Sequence, residues 1–337
     1  MRAVVCLGGG QAVLERCPDP PPQPDRALVR IEAAAICGVD LARDRRAPAG
    51  LARWIPGHEA VGVVVSVPSD AGHIAPGARV VVDPFTSCGA CPACRTGRDN
   101  LCRAYRLCGL GEEPGLMAEM AALEPSSLHP ISAGTPAPGA LWAEPLACAI
   151  HALSRVEIGA GRTLAIFGCG VQGSLALALA RLQGVRVAVV EPDAARRTGA
   201  LLGGAEIAID PVVEDPVAAL RAWSPGGAEA VLEAVGLAEV RRHALAAAAD
   251  GADIVLLGMA EAAGDMAVSD AVRRELRLVG SFGYTRDQFS RAVRLLSEGA
   301  VEMAGRTRLL DPAECRQALC PAWWRAGGVL KVAVSLA

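Results

Sequence analysis

The chain has 337 residues, with 36 acidic and 33 basic side chains and a formal net charge of −3. At about 150 residues per domain, this length predicts two domains, each large enough for its own hydrophobic core. The balanced charge, without a long run of one sign, argues against nucleic acid or an anionic membrane as a principal partner.

The N-terminus and the cysteines predict where the protein resides. The short apolar stretch after Met1 is ended by Gly8, Gly9 and Gly10, so no export signal is expected. Twelve cysteines without an export signal favour a reducing compartment, where clustered thiols more often bind metal than form disulfides. We therefore expect a cytoplasmic protein. Lys331 is the only lysine and lies near the C-terminus, so a lysine-based mechanism is not expected.

The predicted elements change character along the chain. From Ala27 to about Val82, short apolar runs between Gly and Pro breaks indicate a β-rich region with irregular connections. After Glu144, apolar strand-like runs alternate with helical stretches, which predicts a parallel sheet covered on both faces. Beyond Gly283 a helix near Gln288 to Glu298 and a terminal strand near Val329 to Leu336 are expected. The uncharged run between 162 and 181 contains several glycines, which favours a strand, a turn and a helix over a membrane span.

A glycine motif lies in the alternating region. Gly168, Gly170 and Gly173 fit G-x-G-x-x-G, directly after the predicted strand Thr163 to Phe167 and before a predicted helix. In a dinucleotide site these glycines make the tight turn, admit the pyrophosphate and let helix and strand pack closely. The alternative is a glycine turn in an α/β protein that binds no nucleotide.

The acid expected at such a site is also present. Glu191 ends the next predicted strand, 23 positions after Gly168. Its carboxylate would accept hydrogen bonds from the adenosine ribose and repel a 2′-phosphate, which favours NAD over NADP, although Arg196 nearby could soften the discrimination. The further candidates for cofactor contact are Val171, Gln172, Val235 and Gly258.

A four-cysteine loop predicts a metal site. Cys88, Cys91, Cys94 and Cys102 fall within fifteen residues. Four thiolates can surround one zinc ion and leave no open position, so the site should be structural. Iron–sulfur ligation is the main rival, but the short last gap and following proline of the ferredoxin run are absent. Unliganded buried cysteines are the remaining alternative.

The other motifs are common alone but specific in their order. A turn with Cys37 and Asp40, the run Gly57-His58-Glu59, the four-cysteine loop, Glu144-Pro145 and the glycine motif follow one another. This order resembles the zinc-dependent medium-chain alcohol dehydrogenases, in the branch of the sorbitol, threonine and butanediol dehydrogenases, over essentially the whole chain. By that resemblance Cys37, His58, Glu59 and Glu144 are the ligands or near-ligands of a catalytic zinc, and Asp40 supports His58. Either glutamate would bind zinc directly or through water.

The resemblance also implies a fold and an activity. It implies a GroES-like, β-rich catalytic domain from residues 1–148 and 285–337, with a Rossmann NAD-binding domain at residues 149–284 inserted between them. It further implies two zinc ions per chain, a homodimer or homotetramer, and oxidation of a secondary alcohol such as a polyol, an amino alcohol or a cyclitol. An open zinc site would act as a Lewis acid while hydride passes to the nicotinamide.

Two departures from the family pattern keep other functions open. Val39 and Ala42 stand where the family carries a hydroxyl and often an imidazole that pass the alcohol proton to solvent, and Gly283 stands where sorbitol-type enzymes carry a polar side chain. One alternative is therefore a reductase of an iminium or a conjugated double bond, which has no alcohol proton to relay. Another is a nucleotide-binding protein without catalysis, although the retained ligand set argues against it.

Overall fold

The computed structural model describes residues 1–47, 53–69, 71–72, 74–110, 113–315 and 328–336. The chain divides into two compact units, Met1–Glu144 with Thr285–Ala337, and Pro145–Tyr284. The assignment of separate functions to residues 1–148 with 285–337 and to residues 149–284 stays a prediction.

The first part of unit 1 is built mainly from strands. These strands are β1 (Arg2–Gly8), β2 (Gln11–Arg16), β3 (Ala27–Ile36), β4 (Glu59–Ser66), β5 (Arg79–Val82), β6 (Phe85–Thr86), β7 (Arg106–Leu107), β8 (Met120–Leu123) and β9 (Leu128–Pro130). Its helices are α1 (Gly38–Arg46), α2 (Pro92–Arg95) and α3 (Ala137–Ala140), with 3-10 turns at Asp99–Leu101 and Pro125–Ser127.

Strands and helices alternate through unit 2. Helix α4 (Ala143–Leu153) begins in unit 1 and continues into unit 2. The elements that follow are β10 (Thr163–Phe167), α5 (Val171–Leu182), β11 (Arg186–Val190), α6 (Ala194–Leu202), β12 (Ile207–Ile209), α7 (Pro216–Trp223), β13 (Ala228–Glu233), α8 (Ala238–Ala247), β14 (Ala248–Leu256), α9 (Val268–Arg273) and β15 (Arg277–Gly280). The chain then returns to unit 1 through α10 (Arg286–Ser297), 3-10 turns at Ala304–Arg306 and Pro312–Glu314, and strands β16 (Thr307–Leu310) and β17 (Lys331–Ser335).

The large sheet of unit 1 joins strands from both ends of the chain. Its strand order is β16-β17-β3-β4-β5-β9, and β8 also pairs with β3. Antiparallel register aligns Val332 of β17 with Ile36 of β3, and Ala35 of β3 with Glu59 of β4. One end of the sheet therefore carries Lys331, the residue after β3, and the start of β4.

The sheet of unit 2 has the order β12-β11-β10-β13-β14-β15, with parallel pairing throughout. This order is the doubly wound pattern of dinucleotide-binding folds, in which ligands bind beyond the carboxyl ends of the strands. The topology of the two sheets agrees with the predicted fold class, a GroES-like β-rich part with a Rossmann part.

One element departs from the sequence prediction. Helix α1 begins directly after Cys37 in a region predicted to be strands with irregular connections. Its sequence, GVDLARDRR, has little apolar periodicity, because only one edge of the helix packs inward and Asp40 and Asp44 are the buried members. Across the described ranges, none of the helices combines the length and apolar character needed to span a bilayer.

Candidate active site

Three side chains at one end of the unit 1 sheet form a compact donor cluster. Cys37, at the start of α1, and His58 and Glu59, at the start of β4, each place one ligand atom within 4.8 Å of the others. His58 and Glu59 are buried and Cys37 is half-buried. The sheet register brings these residues together although they are about twenty positions apart in sequence.

Asp40 fixes the backbone on both sides of this cluster. Its Oδ2 accepts a hydrogen bond from the Cys37 N–H at 2.9 Å, and its Oδ1 accepts one from the Gly57 N–H at 3.3 Å. The same carboxylate lies 3.6 Å from Nδ1 of His58, which is too long for a hydrogen bond. Asp40 therefore supports both ligand turns through the backbone, in addition to facing the imidazole as expected.

The cluster is electrostatically negative. Burial lowers the pKa of His58, but Asp40, Cys37 and Glu144 outweigh burial and raise the pKa well above its usual value. Glu144, near the start of α4, is thus close enough to His58 to influence its charge. A site that stabilises positive charge and offers sulfur, nitrogen and carboxylate oxygen has the donors that zinc takes in proteins.

The four cysteines of the predicted structural site also converge. Cys88, Cys91, Cys94 and Cys102 place their sulfur atoms within 4.8 Å of one another. The Cys88–Cys94 and Cys91–Cys94 sulfur distances are 3.9 and 3.4 Å. Four thiolates bound tetrahedrally at about 2.3 Å from zinc would lie roughly 3.8 Å apart, so this arrangement fits one zinc ion. Hydrogen bonds from backbone N–H groups of Ala90 and Cys91 lower the pKa of Cys88 to about 6, which favours the thiolate.

The glycine motif makes the predicted tight turn between β10 and α5. Gly168 has a positive φ of 88°, and a Cβ there would lie 2.5 Å from the Val235 side chain. A Cβ on Gly173 would lie 1.9 Å from the carbonyl oxygen of Gly168, so only glycine fits. A Cβ on Gly170, in contrast, would have Arg196 Nη1 as its nearest neighbour, at a distance of 3.8 Å. The space over Gly170 is therefore open, as close approach of a phosphate requires.

The remaining cofactor candidates lie along the same edge of the unit 2 sheet. Val171 and Gln172 begin α5, while Val235 and Gly258 follow β13 and β14. Gly258 and Val235 touch backbone to backbone, since a Cβ on Gly258 would lie 2.3 Å from the Val235 carbonyl carbon. The parallel sheet therefore brings all of these candidates to the carboxyl ends of its central strands.

Glu191 follows β11 and is anchored by backbone groups. Its Oε2 accepts a hydrogen bond from the Cys169 N–H at 2.7 Å, and its Oε1 accepts one from the Asp193 N–H at 3.0 Å. Arg196 lies beside it, with Nη1 at 3.9 Å from Oε2. Glu191, which is expected to bind the ribose, is thus held against the glycine loop, next to the guanidinium of Arg196.

Sequence reasoning missed one residue of the cluster at the sheet end. Lys331, at the start of β17, is buried and donates a hydrogen bond to Oε2 of Glu59. Nothing in the local sequence marks this lysine, because the register of β17 against β3 brings it to the site.

Comparison with known proteins identifies the family. The profile of the alcohol dehydrogenase GroES-like domain matches residues 23–133, and that of the zinc-binding dehydrogenases matches residues 172–298. The chain is 31% identical over 296 residues to D-altritol 5-dehydrogenase of Agrobacterium fabrum, covering 85% of each chain. It is 33% identical over 253 residues to erythritol/L-threitol dehydrogenase of Mycolicibacterium smegmatis, covering 70% of each.

A solved structure is similar over nearly the full length. It is a zinc-binding dehydrogenase from Sinorhizobium meliloti bound to NADP, with a TM-score of 0.90, 33% identity and coverage of 99% of this chain and 98% of that one. The chain therefore belongs to the zinc-dependent medium-chain alcohol dehydrogenase family. It is an alcohol oxidoreductase, which confirms the resemblance seen in the ordered motifs.

Proposed function

We propose that the chain is a zinc- and NAD-dependent dehydrogenase that interconverts a secondary alcohol, in particular a polyol, and its ketone. The observation that carries this proposal is the cluster of Cys37, His58 and Glu59, braced by Asp40. The names of two relatives, which refer to altritol and to erythritol and threitol, support a polyol as the substrate.

Each residue of the site has a role in this proposal. Cys37 and His58 would hold zinc together with Glu59, Glu144 or both, and Asp40 keeps the two ligand turns in place through the backbone. When bound, zinc supplies a Lewis acid that favours the alkoxide form of the alcohol, and NAD accepts the hydride. The proton of the alcohol hydroxyl must also leave the site, by a route separate from that of the hydride.

That route does not run through the residues at 39 and 42. Val39 and Ala42 lie on α1, directly after Cys37, and neither side chain can carry a proton. General acid–base catalysis contributes a factor of roughly 10²–10⁴ to the rate. Its absence should therefore lower the oxidation rate most for alcohols with one hydroxyl. A polyol can pass the proton to its own neighbouring hydroxyl, and from there to water.

A panel of sugar alcohols, vicinal diols and monohydric alcohols with NAD tests the proposed function. We expect NADH formation from polyols and diols and little from monohydric alcohols. Val39→Thr, which replaces one methyl group by a hydroxyl, should raise kcat for monohydric alcohols by about tenfold or more, within the range of general acid–base help.

Val39→Ala is the matched control for the proton argument, because it changes packing without adding a hydroxyl. Val39 is 41% exposed, so water already serving as the proton acceptor is the competing explanation. An equal rate for Val39→Thr and the native protein would favour that explanation. Rapid oxidation of simple alcohols by the native protein would contradict the missing-relay argument, and reduction of an iminium or enal alone would contradict the function.

We further propose two zinc ions per chain, one at the Cys37 site and one at the four-cysteine site. Cys102→Ser should remove about one zinc per chain and lower Tm by several degrees, because a closed metal site contributes directly to folding. Cys17→Ser, outside both clusters, is the control and should keep both ions. An unchanged Tm and zinc content in Cys102→Ser would refute the structural site.

The preferred cofactor in this proposal is NAD. The buried carboxylate of Glu191 supports this choice, since its charge would repel a 2′-phosphate. Two observations favour NADP instead. Arg196 lies beside Glu191, and the Sinorhizobium meliloti structure contains NADP.

Glu191→Gln separates charge from positioning. The amide oxygen can still accept the Cys169 N–H bond, although the amide nitrogen cannot accept the bond from the Asp193 N–H, so the glycine loop should stay in place while the repulsion disappears. We expect the ratio of kcat/KM for NADP to that for NAD to rise about tenfold or more, which corresponds to roughly 1.4 kcal/mol. Arg196→Ala should lower the same ratio. Equal use of both cofactors by the native protein would rule out discrimination by Glu191.

A homodimer or homotetramer is the proposed assembly. Among the described strands, β15 lies at the edge of the unit 2 sheet, and its Leu278 side chain is 39% exposed. Val268 and Val272 of α9, in the same unit, are also exposed. Uncovered edge strands with apolar side chains favour association, and closed symmetric dimers are the commonest outcome.

Leu278→Lys should lower the mass measured by sedimentation, because a charge at this edge opposes pairing. Val212→Lys is the matched control, as it places the same charge at another exposed apolar position of the same unit. A native protein that sediments as a monomer would exclude the assembly.

A further inference from the structure

Lys331 is a buried cation with two specific contacts. It is 1% exposed, and its ammonium nitrogen donates a hydrogen bond to Oε2 of Glu59, whose carboxylate is also buried. The nitrogen lies 5.0 Å from the centre of the Trp142 ring. Burying a charge is costly unless it is paired, so the lysine and the glutamate depend on each other.

Trp142 connects this lysine to the second acid of the site. Its indole N–H donates to Thr307 Oγ1 at 2.8 Å, and Thr307 is the register partner of Lys331 across β16 and β17. Thr307 in turn donates to the carbonyl oxygen of Pro138 at 3.0 Å. Trp142 precedes Glu144 by two residues. Lys331 therefore contacts Glu59 directly and packs on the segment that leads to Glu144.

The charge of the donor set gives this contact a chemical meaning. The thiolate of Cys37 and the carboxylates of Glu59 and Glu144 would place three negative charges beside a dipositive zinc, with His58 neutral. The ligands and zinc sum to −1, and the buried carboxylate of Asp40 adds another negative charge, so the ammonium of Lys331 offsets one of two excess negative charges. Groups that bind a metal ligand from outside orient it and tune the metal, and this lysine is placed to do both.

We propose that Lys331 is a positioning residue that holds Oε2 of Glu59, so that this carboxylate offers zinc only its other oxygen, Oε1. The inference rests on the proposed function, because it takes zinc to bind at the Cys37 and His58 site. Without the lysine, Glu59 is free to turn both oxygens to the metal and to occupy the position that the alcohol needs.

Cobalt substitution measures this change directly, because the visible absorption of cobalt(II) reports its coordination geometry. Lys331→Met keeps a long unbranched side chain, one atom shorter than lysine, and removes the charge. In the cobalt-loaded variant we expect weaker visible absorption than in the native protein, as four-coordinate cobalt becomes five-coordinate. The zinc-loaded variant should lose about 10–100-fold in kcat, as replacements of such supporting groups do.

Two further variants separate positioning from a merely structural role. Lys331→Arg should restore the native cobalt spectrum, because it restores the cation. In the Glu59→Gln background, adding Lys331→Met should change the spectrum no further, since the lysine then has no carboxylate to hold. An unchanged spectrum in Lys331→Met, or an equal change in the Glu59→Gln background, would overturn the proposal.

A second measurement uses folded native protein, so that a Lys331→Met variant that fails to fold leaves the test intact. Because the chain has one lysine, selective ¹⁵N-lysine labelling gives a single side-chain signal. We expect that signal to shift when zinc is added to metal-free protein and to shift again in Glu59→Gln. If neither zinc addition nor Glu59→Gln changes the chemical shift of this signal, the proposal is overturned.

A different experimental result would contradict the proposed function. If native protein and Cys37→Ala give the same cobalt spectrum, no metal binds at the Cys37 site, and the proposed zinc chemistry falls together with the role of Lys331. If the two spectra differ but Lys331→Met matches the native protein, only the role of Lys331 falls.

Discussion

The antiparallel register of β17, β3 and β4 is the constraint on which the chemistry of this chain depends. It brings Lys331, Cys37 and the pair His58 and Glu59 to one end of a sheet, although they come from opposite ends of the chain. A shift of one residue would turn every side chain of the shifted strand to the other face. The apolar cores of β3, β4 and β17 oppose such a shift, and in this way ordinary packing fixes the geometry of the proposed metal site.

The cost of this arrangement is the burial of several ionisable groups in one place. Asp40, His58, Glu59 and Lys331 are all buried at the end of the sheet. Removing one partner of a buried ion pair costs about 3–5 kcal/mol, a large part of a typical domain's stability. With Cys37 and Glu144 the cluster holds four acidic groups against His58 and Lys331, so a bound dication would offset part of its negative charge. Metal binding and folding of this region are therefore expected to support each other.

The sequence predicted the elements whose information is local. Strand Thr163–Phe167 has the predicted bounds, because an apolar run and the following glycine motif mark it. The four-cysteine loop was visible because its members are close in sequence. Helix α1 was missed because its buried residues are two aspartates rather than an apolar stripe. Lys331 was missed as a site residue because only strand pairing over a long sequence distance brings it to Glu59.

A shared device places the acids at both sites. Asp40 is held by the N–H groups of Cys37 and Gly57, Glu191 by those of Cys169 and Asp193, and Glu233 by those of Val235 and Gly236. In each case a carboxylate fixes a turn, and Asp40 and Glu191 also keep negative charge near the place where zinc or a ribose is proposed to bind. Loop geometry and charge are therefore coupled in one side chain. Substitution by alanine would remove both at once, whereas the amide analogue removes the charge and keeps one of the two acceptor oxygens of Asp40 or Glu191. Glycines accompany these acids because the N–H groups point at a carboxylate where the backbone turns sharply. The backbone turns in this way at Gly57, Gly168 and Gly236, which all have positive φ.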